Sequence, residues 1–319
     1  MICLCCGKKI NKPSESESAC SGHKRCIKKF FGTDVIPSID LTDEQLLYIA
    51  KSAVNKGLTV QGVQKKMSLH LTTTKEARLT IVDYPTGYIL KPQTKDFESL
   101  PEYEHVTMLM AESCGIKTVP HGLIRVDGRY AYITKRVDRL IKTKQTSKYA
   151  MEDFCQLSLR LTEDKYRGSY EQCGKIINTY SIRPKLDASE FFLRLLFCFV
   201  TGNSDMHLKN FSLREQTCGK RDFVLSEAYD LLPVNIVNPK DKEETALALN
   251  EKKRNLRKKD FIMLGSNLGL DKSAVNSLMR LIIRKKEDML AICDDSVLNI
   301  VQIEELKAFI DNRCRTLSD

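Results

Sequence analysis

Residues 202–213 read GNSDMHLKNFSL, and 228–234 read AYDLLPV. Asp205 and Asn210 stand five residues apart, and Asp230 follows twenty residues after the amide, directly ahead of an apolar run. An acid, an amide and a second acid form a set suited to phosphoryl transfer, which asks a protein for positioning and charge neutralisation more than for covalent chemistry. One carboxylate can take the proton of an acceptor hydroxyl. The amide and the other carboxylate are hard oxygen ligands. Mg2+ needs few of these, because it keeps several waters and shares phosphate oxygens. On this reading Asp205 is the base, and Asn210 and Asp230 hold Mg2+. His207 and Lys209 either structure the loop or meet phosphate.

The same chemistry needs a cation for the nucleotide phosphates. Lys91, in YILKP, lies on an expected strand, where protein kinases carry their phosphate-pairing lysine. Glu104 or Glu102, on the helix that follows, can pair with it. The segment TVQGVQKK (59–66) holds a single glycine and matches G-x-G-x-x-G poorly. A second chemistry is written at the N-terminus. Cys3 and Cys6 form a C-x2-C pair and His23 and Cys26 an H-x2-C pair, the ligand spacing of one tetrahedral zinc. Four protein ligands leave no open position, so such a zinc would staple a segment too small to fold alone. Cys5 and Cys20 are spare thiols.

These residues must be placed by a chain of 319 residues, long enough for two lobes and a small additional unit. Hydrophobic residues at 42% and charged residues at 29% exclude a wholly disordered or fibrous chain. The longest apolar run, FFLRLLFCFV (191–200), is interrupted by Arg194 and is too short to span a bilayer, so it reads as a buried helix. The start, MICLCCGKKI, is too short and too polar after Gly7 for a secretory signal, and the expected compartment is the cytoplasm. Seven cysteines scattered singly from Cys114 to Cys314 read as reduced, half-buried thiols.

Three sections follow: 1–32, the Cys/His segment; 33–139, a sheet-bearing lobe; and 140–319, a helical lobe. In the second, a capped helix is expected at TDEQLLYIAKSAV, with Thr42 as N-cap. Strands are expected in VQKKMSLHL, ARLTIVD, GYILKP, HGLIRVD and RYAYITKRV, with the helix EYEHVTMLMAESCG among them. In the third, helices are expected near 151–161, 168–179, 188–201, 259–265, 272–292 and 301–317. The fold class is α+β: a small antiparallel-sheet lobe and a mainly helical lobe, the two-lobed plan of a protein kinase.

At this point the chain resembles the HipA-like serine/threonine kinases, the toxin components of bacterial toxin–antitoxin systems. GVQKKMSL, YILKP, PEYEHVTMLMAESCGI, KRVDR, EDFCQ, GNSDMHLKNFSL, YDLLPV and LALNEKK recur in that family's order, from about Thr59 to the C-terminus. The resemblance implies ATP and Mg2+ as cofactors, Asp205 as base, Asn210 and Asp230 as metal ligands, and Lys91 on the phosphates. It also implies Asp138 of VDR on the ribose. TVQGVQ, with Gln61 and Gly62, would be the family's phosphate loop, whose hydroxyl ahead of the glycine, here Thr59, is autophosphorylated. The chain looks like the short members that lack an N-terminal subdomain and begin with a Cys/His segment. Implied partners are a protein substrate such as an aminoacyl-tRNA synthetase, a helix-turn-helix antitoxin with DNA reached through it, and a small protein resembling the missing subdomain. No membrane partner is expected.

Two other readings compete. A small-molecule phosphotransferase shares the Asp/Asn/Asp set on a similar fold. A zinc-containing binding module in an antitoxin–operator complex would use the net charge of +10. Nothing about DNA binding requires two metal-ligand positions at these offsets. KKMSL (65–69) superficially matches the KMSKS loop of tRNA synthetases but lacks its second lysine.

Overall fold

The computed structural model describes residues 1–39, 66–72, 77–82, 87–142 and 145–319. The helix expected from Thr42, and Thr59, Gln61 and Gly62 of the expected phosphate loop, lie outside the described residues.

The five expected strands pair as one antiparallel sheet in the order β2-β1-β3-β5-β4: β1 Met67–Thr72, β2 Arg78–Val82, β3 Tyr88–Pro92, β4 His121–Val126 and β5 Arg129–Lys135. Alternation sorts its faces. Met67, Leu69, Tyr88, Leu90, Ile124, Val126, Ala131 and Ile133 form one apolar layer, into which the second of two N-terminal helices reaches. Those helices are α1 (Glu15–Cys20) and α2 (Lys24–Phe31), and α2 contributes Ile27, Phe30 and Phe31. The opposite parity carries Leu123 and Tyr132 against the helix α3 (Leu100–Ser113), whose Tyr103 and Val106 share their core cluster. Lys91 pairs in register with Tyr132, and Ser68 with Ile89. Lys91 and Ser68 therefore look away from the α2 layer.

The helical lobe is built around α6 (Pro184–Thr201), buried along most of its length. Around it lie α4 (Phe154–Leu157), α5 (Tyr170–Tyr180), α7 (Val234–Val237), α8 (Lys258–Asn267), α9 (Lys272–Arg284), α10 (Lys286–Asp294) and α11 (Ile300–Ser318). Arg194, which interrupts the apolar run, is 1% exposed and is neutralised by Glu190 at 2.5 Å while donating to the Ser226 carbonyl.

Four expectations are corrected. Residues 151–161 are not one helix: β8 (Met151–Asp153) precedes α4, because Met151 pairs with Arg214 of β9 (Ser212–Glu215), which in turn pairs with β10 (Phe223–Leu225) in a three-stranded sheet, β10-β9-β8. A hairpin of β6 (Arg139–Lys142) and β7 (Gln145–Lys148) also belongs to this section, so it is less purely helical than expected. The stretch 272–292 breaks at Lys285 into α9 and α10. The cysteines from 114 to 314 are free thiols and, apart from exposed Cys218, are fully rather than half buried.

Asp187 joins α6 to β10. Fully buried, it accepts from Ser181, from Arg183 at 2.9 Å and from the Leu225 backbone N–H at 2.8 Å. Asp187→Ala leaves that buried N–H unpaired and is expected to cost about 2–4 kcal/mol, read as a lower urea midpoint at unchanged slope. A midpoint equal to wild type would contradict this assignment.

Candidate active site

Helix α6 ends at Gly202, whose φ of 74° turns the chain into the GNSDMHLKN loop. The loop is tied by its own polar atoms. The Asp205 N–H meets the Asn203 side-chain oxygen, the His207 N–H donates to the Asp205 carbonyl at 2.8 Å, and Ser204 donates to Asp241. The Asn210 amide nitrogen also donates to the Asp205 carbonyl, at 2.8 Å, which leaves the Asn210 side-chain oxygen for a cation. Lys209 is drawn off to Asp153 at 2.7 Å. It braces the loop against β8, the structuring role of the two the sequence left open.

Asp230 arrives from a different direction. Val119 and Ala228 are stitched by backbone bonds of the 117–119 segment, and Tyr229 bonds Ser212 at 2.6 Å and the Lys209 carbonyl. Asp230 itself sits at φ 57°, a left-handed conformation uncommon for a non-glycine residue and concentrated at functional sites. Its two carboxylate oxygens are 2.5 Å from the Lys91 and Lys66 ammonium groups. Lys91 is also 2.5 Å from Glu104, which resolves the choice between the two glutamates. Glu102 is instead half-buried on the other side of α3, near Cys3 and Leu4.

Asp205, Asn210, Asp230, Lys91, Glu104, His207 and Asp138 all line one cleft of about 510 Å3 between sheet and helices. Two of them are less available than the sequence suggests. Asp138 accepts from Arg136 at 2.8–2.9 Å and from Arg139 at 2.5 Å. His207 is buried, its Nδ1 has no hydrogen-bond partner among the described residues, and its ring meets Tyr166 edge-on. Burial, then the Lys165 charge, push His207 down to about 4, so it is neutral near pH 7.

The charges set the protonation states. Burial would raise the Asp230 carboxyl, but the Lys66 and Lys91 charges outweigh it and hold the group well below the usual carboxylate range. Burial pushes Glu104 up to about 7 against the pull of Lys91. Asp205 is also raised, by burial, with the Tyr166 hydroxyl pulling the other way. That hydroxyl donates to Asp205 at 2.7 Å and so occupies one of the oxygens a base would use.

Sequence reasoning missed Lys66 and Tyr166. Lys66 was legible in principle: it lies two residues before Ser68, on the strand parity of the cleft face. Tyr166 follows a short 3-10 turn, Thr162–Asp164, where no periodicity points to it. Cys3, Cys6, His23 and Cys26 do come together, their ligand atoms all within 4.8 Å of one another, away from the cleft.

A family model described as HipA-like C-terminal domain matches residues 58–290. A Haemophilus influenzae protein named "Putative kinase" is 25% identical over 305 residues, covering 86% of this chain and 87% of its own. Among solved structures, the chain is similar to HipA in the Shewanella oneidensis toxin–antitoxin complex with HipB and operator DNA. The TM-score is 0.69 at 20% identity, over 82% of this chain and 65% of that one. It is also similar to the Helicobacter pylori proinflammatory kinase CtkA, with a TM-score of 0.56 at 16% identity, over 79% of this chain and 94% of that one. These likenesses show the fold, the expected two-lobed α+β kinase-like architecture. Among the described residues, no helix is long and apolar enough to cross a membrane.

Lys66 competes with any cation for Asp230. Lys66→Met is expected to tighten binding of Mn2+ alone, followed by electron paramagnetic resonance, by about tenfold, the equivalent of one charge-assisted hydrogen bond. Unchanged or weaker Mn2+ binding would show that Asp230 is not the cation's seat.

Proposed function

The chain belongs to the HipA-like C-terminal domain family, and from that membership and the cleft's geometry we propose that it is a Mg2+- and ATP-dependent serine/threonine protein kinase of the toxin type. The observation that carries this is Lys91, buried at 3% exposure and held at once by Glu104 and Asp230, in the cleft that Asp205 and Asn210 also line. The residues fit Mg2+: Asp230 and the free oxygen of Asn210 are hard donors beside a volume of about 510 Å3, within the usual range of ligand pockets. When bound, Mg2+ neutralises charge on the transferring phosphate.

The chain's own residues do the rest. Lys91 meets the nucleotide phosphates while Glu104 keeps it aimed, and Lys66 moves from Asp230 onto the same anion. Tyr166 gives up its bond to Asp205, whose carboxylate takes the proton of the acceptor hydroxyl. A ribose hydroxyl at Asp138 would share that carboxylate with Arg136 and Arg139.

By resemblance we propose Thr59 as the autophosphorylated hydroxyl of a loop containing Gln61 and Gly62, and a translation-related substrate such as an aminoacyl-tRNA synthetase. The same resemblance proposes a helix-turn-helix antitoxin, DNA reached through it, a small partner resembling the N-terminal subdomain of the family's long form, and a cytoplasmic location. The proposed division is 1–32, 33–139 and 140–319. Cys3, Cys6, His23 and Cys26 are proposed to hold zinc.

Mass spectrometry after incubation with ATP and Mg2+ tests the kinase. Wild type is expected to gain phosphate, and Asp205→Ala to lose about 10^2–10^4-fold in rate while still binding nucleotide. Equal phosphorylation of the two proteins would overturn the base assignment. Transfer is expected to fall as pH drops through about 7, where Glu104 takes up its proton and releases Lys91. In Glu104→Gln the maximum is lower and that limb is gone. A wild-type profile flat from pH 8 to 6 would contradict it.

A further inference from the structure

We infer that zinc at Cys3, Cys6, His23 and Cys26 fixes the position of α3, and through it the Glu104 carboxylate that aims Lys91. The inference rests on the zinc reading of this cluster. The Cys6 and Cys26 sulfurs lie 3.5 and 3.9 Å from His23 Nδ1. A tetrahedral site with metal–sulfur bonds of about 2.3 Å has ligand–ligand edges of about 3.8 Å. The His23 N–H already points at the Cys3 sulfur, 3.3 Å away, the backbone-to-sulfur contact that supports a coordinated thiolate. Cys5 is not one of the four; its side chain lies between Cys3 and the backbone at Gly122.

The segment around this cluster has no core of its own. Most of its buried apolar residues are lent to the rest of the molecule: Leu4 to the cluster that contains Val106 and Leu123, and Ile27, Phe30 and Phe31 to the opposite face of the sheet. The ligands sit at the junction of those two loans. Closing Cys3 and Cys6 onto His23 and Cys26 therefore clamps the edge of the sheet between two anchors.

The clamp bears on α3 by direct contact. Leu123 of the edge strand β4 donates to the Leu4 carbonyl at 2.7 Å, and a Cβ on Gly122 would stand 3.1 Å from that same oxygen. A Cβ on Gly7 would come within 2.4 Å of Leu109 on α3, so the turn between the Cys/Cys pair and the helix has no room for a side chain. Glu102, His105, Val106 and Leu109 line the small cavity they share with Cys3 and Leu4. Their spacing of i, i+3, i+4 and i+7 is one helical stripe. Glu104 falls outside that stripe, with its carboxylate on Lys91. Pressure on one face of α3 thus sets the height and rotation of the residue on the other.

The test uses the full chain. Elemental analysis is expected to give one zinc per chain in wild type and Cys5→Ser, and none in Cys26→Ser. Stripping the zinc with a chelator under reducing conditions is expected to speed amide exchange in 100–113 by about tenfold, while 184–201 stays protected, and to weaken ATP binding similarly. Gly7→Leu, which keeps all four ligands, is expected to retain zinc and show the same loosening of 100–113, and it decides the matter should stripped protein unfold throughout. Absence of zinc from wild type, or unchanged exchange in 100–113 in stripped or Gly7→Leu protein, would overturn the inference. Loosened α3 in a protein that neither binds ATP nor transfers phosphate would leave this inference standing and sink the kinase proposal instead.

Discussion

Everything in the cleft is arranged around one ammonium group that cannot be buried alone. Lys91 is almost without solvent, and a lone charge there would cost several kcal/mol. It is tolerated because Glu104 from α3 and Asp230 from the helical lobe each stand 2.5 Å away, and Lys66 shares Asp230 from the strand next door. Two cations and two anions from four separate stretches of chain thereby meet at one point. Such clusters contribute little net stability, since desolvation offsets most of the attraction. What they do fix is geometry: β3, α3 and the 228–230 segment are held in one relation.

That relation suits exchange of partners. An incoming phosphate can take Lys91 and Lys66, and an incoming cation can take Asp230, so charge is conserved in the cleft as each internal bond is replaced. The same logic holds at Asp205, where the Tyr166 hydroxyl stands in for an acceptor. The closed polar network of the free protein is in this sense an outline of the bound one. Its cost is the left-handed backbone at Asp230, which the Tyr229 bonds to Ser212 and Lys209 hold in place.

Much of this was legible in the residues because the site depends on fixed offsets. Asp205 and Asn210 are five apart since the amide must turn back onto the Asp205 carbonyl, and an apolar helix ending in glycine announces where that loop begins. Lys91 followed from its place on an expected strand, where kinases carry their phosphate-pairing lysine, and the Cys/His set from ligand spacing. The choice between Glu102 and Glu104 was not legible, because both lie in the first turns of a helix buried on nearly all sides, so amphipathicity does not rank them. Tyr166 and the strands β8 to β10 escaped for a related reason: three or four residues are too few to show a period, and pairing with distant chain decides their structure. The break at Lys285 rests on the backbone of one residue, at φ −80° and ψ 0°, which no glycine or proline in the sequence marks.

The central claim is that Lys91 and Asp230 together form the seat of a metal-bound nucleotide. Calorimetric titration of a non-hydrolysable ATP analogue, with and without Mg2+, into wild type, Lys91→Met and Asp230→Asn tests it most directly. The account predicts binding to wild type that strengthens with Mg2+, loss of most affinity in Lys91→Met, and loss of the Mg2+ dependence in Asp230→Asn. Wild-type binding indifferent to Mg2+, or unaltered in either variant, would contradict it.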